Sequence, residues 1–488
     1  MSGVVMLGNG TLTCAEVAAI ARDGRRVSVA AQGLARAVAS HDVANQLVER
    51  RGVYGRTTGV GANRSVQIDA VEAPDHGLNL LRSHAGGAGP QVEPDIVRAM
   101  LAVRVNQLAA GGAGVHPDLI SALAEVVNSG RLPSVQRFGA IGTADLTALA
   151  STALCMLGEL PWRNGELATV FRLAPADVLG FCSSNAATLG EAALACHDLD
   201  GLLRASTVIA GLSFLAVDGS TEAYTEAVQL ARPYPGQQAV AALLRRLLAD
   251  AQARPAARIQ DPFGFRALPQ VHGPAVDAIA RLAQVLAVEL NAASENPLIS
   301  SVELDAFHNG NFHTAYVAHA LDGARAAVFS TAALSCARLA NLVEPSYTGL
   351  RPFLAAGPSA SSGVMILEYV AQSALAELRY AAAPATLGNV VLSRGAEDHA
   401  SFSAQAANRT TDLITTYQTV LACELVASVR ALRLREIAPK AGALRIAFEK
   451  ANAAFDPRLA DRPLNADLAN AVALLPELVP ELPELIGE

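Results

Sequence analysis

Long stretches rich in alanine and leucine, with apolar residues repeating at helical spacing, run through most of this 488-residue chain. In Glu93–Ala110 the apolar residues fall near that spacing, Pro94 suits a first turn, and Gly111 comes next as an end signal. The same spacing predicts a helix from Gly273 to Asn291. Similar stretches predict further helices over residues 145–158, 185–216, 315–342, 363–383 and 404–435.

Strand-like alternation is confined to short pieces near residues 3–7 and 65–71, so the fold class is predicted to be mainly α. Glycine and proline cluster between the helices, and such loops are where chemistry is usually found. These predicted loops are residues 51–64, 84–90, 130–142, 259–274, 305–313 and 344–364.

The composition excludes several classes of protein. With 51% hydrophobic and 17% charged residues the chain can bury a large core and is not disordered. A net charge of −8 and scattered basic residues argue against a nucleic-acid partner. Mean hydropathy is +0.30, yet no uninterrupted apolar stretch reaches about 18 residues. We therefore expect no membrane span, and expect oligomerisation to cover apolar helix faces.

The six cysteines include no C-x-x-C pair and no histidine at zinc spacing beside them. They are predicted to be buried thiols in a reducing compartment, and no metal site is predicted. The N-terminus lacks a basic region ahead of an apolar run. The predicted location is therefore the cytoplasm.

Two loops carry the first candidates for chemistry. Tyr54 lies on the glycine-rich segment 54–61, which suits either a mobile lid carrying an acid or base or a plain structural turn. This segment lacks the Gly-Lys-Ser/Thr of a phosphate loop. Residues 139–144 are mostly small and precede a helix that Asp145 could cap. They form either a close-approach ligand wall or a simple joint between loop and helix.

Two further segments hold charged groups. Arg266 lies among apolar residues and needs a carboxylate partner, which could belong to a substrate or to the protein. Residues 397–399 offer two carboxylates and an imidazole, of which one or two at most can face a single pocket. Neither segment identifies a reaction alone.

Taken in order, eight segments between residues 50 and 402 resemble the aromatic amino acid ammonia-lyase and aminomutase family, and most closely its histidine ammonia-lyases. The segments are VYGRTTGVG, NLLRSHAGGAG, the loop before Asp145, SSNAAT, QDPFGFRALPQV, ELNAASENPL, HNGNFH and EDHASF. The resemblance implies long, near-parallel central helices in a homotetramer whose active sites draw on three subunits. We expect an N-terminal domain over 1–195, with the lid and the 142–144 segment, and a long-helix bundle with a C-terminal helical region over 196–488.

The resemblance also implies roles for single residues. Tyr54 matches a lid tyrosine proposed as base, Arg266 a carboxylate clamp, and Glu397 a carboxylate near the amine or the transferred proton. The pair Ser83-His84 matches the selectivity pair in its histidine-lyase form. The predicted catalytic residues are thus Tyr54 and Glu397, and the predicted substrate-binding residues are Ser83, His84, Asn185, Gln260, Phe263, Arg266, Phe312 and Glu368.

Four residues outside the 142–144 segment depart from the family pattern. Phe263 stands where the family has a tyrosine, Gly395-Ala396 where it has Asn-Gln, and Glu368 where it has glutamine. These departures argue against ordinary amino-acid deamination.

The family's electrophile is a methylidene-imidazolone that forms from an Ala-Ser-Gly tripeptide. The matching positions here are Gly142, Thr143 and Ala144. The Cβ of Ala144 restricts the tight backbone that cyclisation needs, and the methyl of Thr143 would hinder attack on the alkene carbon. We therefore expect the group, and with it any cofactor, to be absent.

Removing an unactivated β-proton with a tyrosinate needs an electron sink, because the two acidities differ by many pK units. The leading hypothesis is a diverged enzyme of specialised metabolism that carries out a Tyr54-assisted elimination, cyclisation or isomerisation on a small carboxylate. Tyr54 would need a pKa below about 10, helped by the helix starting after Asp145 or by Arg266. The alternatives are a true ammonia-lyase or aminomutase that matures from Gly-Thr-Ala, and a non-catalytic binding protein.

Overall fold

The computed structural model describes residues 3–69, 73–167, 171, 173–251 and 253–479. Within them the chain is mainly helical, as predicted. The helices are α1 (Cys14–Ala21), α2 (Ala31–Leu47), α3 (Ala73–His84), α4 (Pro94–Leu108), α5 (Pro117–Ser129), α6 (Leu146–Met156), α7 (Val178–Cys182), α8 (Ala186–Ala216), α9 (Glu226–Leu230), α10 (Pro235–Asp250), α11 (Phe263–Arg266), α12 (Leu268–Glu289), α13 (Ala315–Val343), α14 (Pro345–Thr348), α15 (Ile366–Ala382), α16 (Ser403–Leu434), α17 (Gly442–Ala454) and α18 (Asn465–Leu474).

The strong helical patterns of the sequence are confirmed. Helix α4 begins with Pro94 in its first turn, as predicted, and buries eleven of its fifteen residues. The predicted stretches 145–158, 185–216, 315–342, 363–383 and 404–435 correspond to α6, α8, α13, α15 and α16. Three of these are the long helices α8, α13 and α16, of 31, 29 and 32 residues.

Helix α12 begins at Leu268, five residues before the predicted start at Gly273, so the predicted loop 259–274 is wrong over its second half. The reason is close packing against α10. A Cβ on Gly273 would lie 2.6 Å from the backbone nitrogen of Gln237, and one on Gly236 would lie 2.3 Å from the carbonyl oxygen of Gly273. The glycine that resembles a loop signal therefore permits contact between two helices.

Asp145 occupies the N-cap position of α6, but its side chain does not cap that helix as predicted. Its carboxylate accepts hydrogen bonds from the backbone nitrogen and the hydroxyl of Thr188, at 2.8 and 2.9 Å, in the first turn of α8. Burial raises the pKa of Asp145 to about 6. This residue therefore joins the starts of two helices.

In the part of the chain that the structure describes, six three- or four-residue strands form three two-stranded sheets: β1 (Val5–Leu7) with β2 (Val27–Val29), β3 (Ala88–Gln91) with β4 (Gln136–Phe138), and β5 (Leu298–Ser300) with β6 (Asp305–Phe307). The first pair is parallel and the other two are antiparallel. Strand β1 confirms the pattern near residues 3–7. The pattern near 65–71 gives only a single bridge from Gln67 to Thr58, and residues 70 and 71 lie outside the described chain.

Two compact units make up the chain. The first contains residues 1–197, 283–321 and 384–408, and all six strands belong to it. The second contains residues 198–282, 322–383 and 409–488. Two segments from beyond residue 195 thus belong to the first unit, while the division into domains at 195/196 stays a prediction.

The second unit is centred on a buried ion pair. Arg338 and Glu424 are fully buried, and the Arg338 guanidinium donates two hydrogen bonds, of 2.6 and 2.8 Å, to the Glu424 carboxylate. Ser213 and Ser335 also donate to that carboxylate. These donors satisfy a buried charge that would otherwise be costly.

Among the described residues, two helical stretches are long and apolar enough in composition to cross a membrane, residues 175–216 and 315–343. In their most apolar windows, 83% and 50% of the residues are buried inside the protein. Burial of this kind is typical of the core helices of globular proteins.

Candidate active site

A cavity of about 990 Å³ lies within the first unit. Its wall is built from the 52–64 loop, helix α3, the start of α6 and the turns around residues 308–312 and 393–397. Seven of the residues predicted from the sequence line it: Tyr54, Ser83, His84, Thr143, Ala144, Phe312 and Glu397. The structure thus brings both predicted catalytic residues into one pocket.

Hydrogen bonds hold both the side chain and the backbone of Tyr54. Its hydroxyl oxygen accepts a hydrogen bond of 2.6 Å from the backbone N–H of Gly61, which closes the 54–61 loop on itself. Its backbone N–H donates to Nε2 of His308 at 3.2 Å, and the two rings meet edge to face. Gly55 has a φ of 71°, and a Cβ there would lie 2.0 Å from Leu179. The loop conformation therefore requires glycine at position 55.

Burial raises the pKa of Tyr54 above its ordinary value, and the negative charge of Glu397 raises it further. The Gly61 N–H and the Arg64 charge act in the opposite direction but do not reverse the shift. The shift is thus opposite to the lowering of the pKa that a base near neutral pH would need. The phenol stays protonated near neutral pH, so it is suited to donate a proton rather than to accept one.

His84 and Glu397 provide the groups that can accept a proton. Nδ1 of His84 lies 2.9 Å from the Leu80 carbonyl oxygen, so this nitrogen carries a hydrogen and Nε2 is the ring nitrogen left to accept one. The Ser83 hydroxyl lies 3.0 Å from the same Nδ1. Glu397 is exposed and ends the turn that contains Ser393. The Ser393 hydroxyl oxygen accepts a hydrogen bond of 3.0 Å from the backbone N–H of Ala62, which connects this turn to the Tyr54 loop.

A histidine pair joins two other parts of the cavity wall. Nε2 of His313 lies 2.9 Å from Nδ1 of His399, and the rings are stacked. Burial lowers the pKa of His313, and His399 lowers it further. The pair connects the segment that carries Phe312 with the segment that carries Glu397.

The 142–144 segment has an unusual backbone. Gly142 has a φ of 86° and Ala144 a φ of 111°, a region that alanine rarely adopts. The Ala144 N–H donates to Oδ1 of Asn185 at 3.1 Å, and Nδ2 of Asn185 donates to the Phe312 carbonyl at 2.7 Å. Asn185, predicted to bind substrate, is thus buried and bridges two parts of the wall.

The remaining predicted residues belong to the second unit. Arg266 lies over the ring of Phe263, with 4.6 Å from the guanidinium carbon to the ring centroid, and its buried Nε has no partner within the described chain. Phe263 is 66% exposed and Gln260 is exposed. Glu368 is half-buried, and burial raises its pKa. The role of these four residues in the site stays a prediction.

The sequence model of the aromatic amino acid lyases matches residues 12–453. The chain belongs to the aromatic amino acid lyase family. A relative of this lyase-family chain, histidine ammonia-lyase from Streptomyces coelicolor, is 32% identical over 496 residues, which cover 96% of each chain. The family is one of carbon–nitrogen lyases.

Solved structures of the family share the fold. Histidine ammonia-lyase from Trypanosoma cruzi matches with a TM-score of 0.90 at 26% identity, over 100% of this chain and 98% of that one. An ergothioneine-degrading enzyme from Treponema denticola matches with a TM-score of 0.91 at 24% identity, over 98% of this chain and 100% of that one. At 24% identity the second likeness concerns the fold alone.

The space around Gly142 does not fit the alanine that begins the Ala-Ser-Gly precursor of the family electrophile. A Cβ on Gly142 would lie 2.0 Å from the hydroxyl oxygen of Ser401 and 2.6 Å from that of Ser403. An alanine at the first position of the tripeptide is therefore excluded unless these groups move. At the third position, the backbone of Ala144 has the positive φ that favours glycine.

Several cavity residues of this lyase-family chain were not predicted from the sequence. His308 and Arg64 line the cavity, as do Ser183 and Asn296. His308 opens the segment HNGNFH, so a signal was present, but nothing in the sequence showed that it meets Tyr54. Within the described residues no group of three His, Cys, Asp or Glu side chains is placed to hold a metal ion.

Proposed function

We propose that this member of the aromatic amino acid lyase family is a diverged enzyme that works without the methylidene-imidazolone. Its reaction is a Tyr54-assisted elimination, cyclisation or isomerisation of a small carboxylate with an aromatic or imidazole-like head. One observation carries the proposal. Tyr54, His84 and Glu397 line a single cavity, while a Cβ at Gly142, the first position of the family tripeptide, would lie 2.0 Å from the Ser401 hydroxyl oxygen.

These groups can be divided into proton acceptors and a proton donor. In an elimination, the Glu397 carboxylate or Nε2 of His84 takes a proton from carbon, the electron pair forms the new double bond, and the leaving group departs. The Tyr54 phenol, whose pKa is raised, donates a proton to the departing group. Because no electron sink is used, the proton must be acidified by the substrate or the leaving group must be better than ammonia.

Histidine ammonia-lyase activity is the second candidate, and a specific observation favours it. The relatives at 32% and 34% identity are histidine ammonia-lyases, and the Ser83-His84 pair of the histidine-lyase type lines the cavity here. This activity requires Gly142-Thr143-Ala144 to mature into the electrophile. The fold itself is not restricted to it, since an ergothioneine-degrading enzyme shares it.

The assembly and the location belong to the same proposal. A homotetramer with sites shared between subunits would bring Arg266 and Glu368 to the cavity as carboxylate-binding and polar groups. Large exposed apolar side chains, such as Tyr316 at 70% and Tyr369 at 66%, support a partner surface. None of the six cysteines, all of which lie in the described part of the chain, is in a disulfide, which supports a reducing compartment such as the cytoplasm. We propose a small-molecule substrate and neither nucleic-acid nor membrane partners.

The test is a substrate screen with NMR detection of products. The purified protein is incubated with histidine and with imidazole and aryl carboxylates that carry leaving groups better than ammonia. We expect turnover of an activated substrate and none of histidine, and we expect Tyr54→Phe and Glu397→Gln to lose it. Release of ammonia from histidine would instead favour the second candidate. Turnover unchanged in Tyr54→Phe would contradict the role of the phenol.

A further inference from the structure

Residues just before and at the start of helix α16 donate hydrogen bonds to the backbone of residues 140–142. Three successive carbonyl oxygens are each paired. That of Ala140 accepts from Nε2 of Gln405 at 2.8 Å, and that of Ile141 accepts from the Phe402 backbone N–H at 2.8 Å. That of Gly142 accepts from the Ser401 hydroxyl at 3.0 Å. We call residues 401–405 the clamp.

Hydroxyl groups complete the clamp at Gly142. Thr314 lies 2.7 Å from Ser403 and 3.2 Å from Ser401, oxygen to oxygen, and also donates to the Gly142 carbonyl at 3.3 Å. The three hydroxyl-bearing residues are 1%, 0% and 4% exposed, respectively. They are buried groups that satisfy one another, so moving one leaves another without a partner.

The clamp occupies the volume that a side chain at residue 142 would need. The built Cβ would lie 2.0 Å from the Ser401 hydroxyl, 2.6 Å from the Ser403 hydroxyl and 2.9 Å from the Ser403 backbone nitrogen. The positive φ of Gly142 adds a second reason for glycine. Residue 142 is therefore fixed as glycine by its surroundings, whichever residues occupy positions 143 and 144.

We infer that Ser401 and Ser403 are positioning residues that keep residues 142–144 from cyclising. The uncyclised segment then forms a part of the cavity wall, with Thr143 facing the cavity. The inference rests on the proposed function, because it explains how this chain came to work without the family group. It also predicts that the family tripeptide cannot be restored by changing residues 142–144 alone. The serine hydroxyls of the clamp must be removed as well.

The experiment rebuilds the tripeptide in two backgrounds. The first variant carries Gly142→Ala, Thr143→Ser and Ala144→Gly, and the second adds Ser401→Ala and Ser403→Ala. Maturation joins the amide nitrogen of residue 144 to the carbonyl carbon of residue 142 with loss of one water, and residue 143 loses its hydroxyl and α-hydrogen as another. Intact mass with peptide mapping counts these losses without any need for a substrate.

We expect the first variant to keep both waters and the second to lose two. A matched control adds Ser129→Ala and Ser151→Ala, two serines outside the clamp, to the first variant and should keep both waters. Loss of two waters in the first variant overturns the inference, and so does their retention in all three. The unchanged protein is measured beside them. If it already lacks two waters, the proposed function itself fails, which is a different result.

A second measurement does not depend on maturation. Gly142→Ala alone should lower the melting temperature, and on the Ser401→Ala/Ser403→Ala background it should lower it by less than half as much. Such non-additivity is the signature of groups in direct contact. An equal loss in both backgrounds would overturn the assignment of the clamp to Gly142.

Discussion

Ala144 has a backbone conformation that alanine rarely adopts. Its φ of 111° lies in a region that favours glycine, and such strain costs of order 1 kcal/mol or more. The chain thus retains a backbone shape that suits the glycine of the family tripeptide while carrying alanine. Strain of this kind is kept only where the surroundings impose it, here through the bond from the Ala144 N–H to Asn185.

Ala144→Gly should therefore stabilise the protein. We expect a gain of about 1 kcal/mol in the free energy of unfolding, since relief of strain outweighs the added freedom of the unfolded chain. Urea denaturation measures it. The control is Ala148→Gly inside α6, which should lose about 1 kcal/mol because glycine is a poor helix former. A loss at residue 144 equal to that at residue 148 would contradict the strain argument.

The raised pKa of Tyr54 predicts a pH dependence with a defined sign. The phenol is protonated below its pKa, so a proton-donating role persists through neutral pH and is lost only at a pH more alkaline than the ordinary pKa of a tyrosine. The pH profile of kcat/KM on an accepted substrate should show this alkaline fall. Tyr54→Phe should remove the fall and lower kcat/KM by roughly 10² to 10⁴. A rate that instead rises from pH 7 to 9 would indicate a tyrosinate base.

At the scale of elements, the loop carrying Tyr54 depends on a contact that lies far away in sequence. His308 accepts the Tyr54 N–H at 3.2 Å and stacks edge-on with its ring. Removing the acceptor should release the loop. We expect His308→Ala to speed hydrogen exchange in peptides that cover residues 53–61, and His308→Gln, which keeps an acceptor, to do so less. Unchanged exchange in both variants would show that His308 does not hold the loop.

The elements differ in how far the sequence predicts them. Long amphipathic helices such as α4 and α16 are predictable from local spacing, because burial of one face repeats along the chain. Strands β2 to β6 were missed because three or four residues are too few to show a period, and their pairing partners lie elsewhere in the sequence. The start of α12 was missed because a close helix contact, rather than local preference, determines the conformation at Gly273.

The features of the site also differ in how far the sequence predicts them. Residue types carried by recognisable segments, such as Tyr54 and Glu397, were found and do share a cavity. Contacts made by the fold were not, among them the Ser401 hydroxyl at Gly142 and the His308 ring at Tyr54. The direction of the shift in the pKa of Tyr54 could not be predicted either, because burial of a phenol depends on packing that no short motif encodes.

At the scale of the whole molecule, helix α15 presents an apolar face to solvent. Ile366, Tyr369 and Tyr380 are 53%, 66% and 75% exposed, and they fall within about 60° on a helix of 3.6 residues per turn. A face of this kind is typical of a subunit contact. We expect light scattering to find a tetramer that Tyr369→Glu/Tyr380→Glu dissociates. Arg379→Glu, an exposed position on another side of α15, is the control and should leave it intact.

The central claim is that this lyase-family chain works without the methylidene-imidazolone, and the mass of the unchanged protein tests it most directly. Intact mass spectrometry is combined with peptide mapping over residues 131–160, which contain the whole 142–144 segment. The account predicts the full mass of an unmodified Gly142-Thr143-Ala144. A deficit of two water molecules located in that segment would contradict it and show that the electrophile forms.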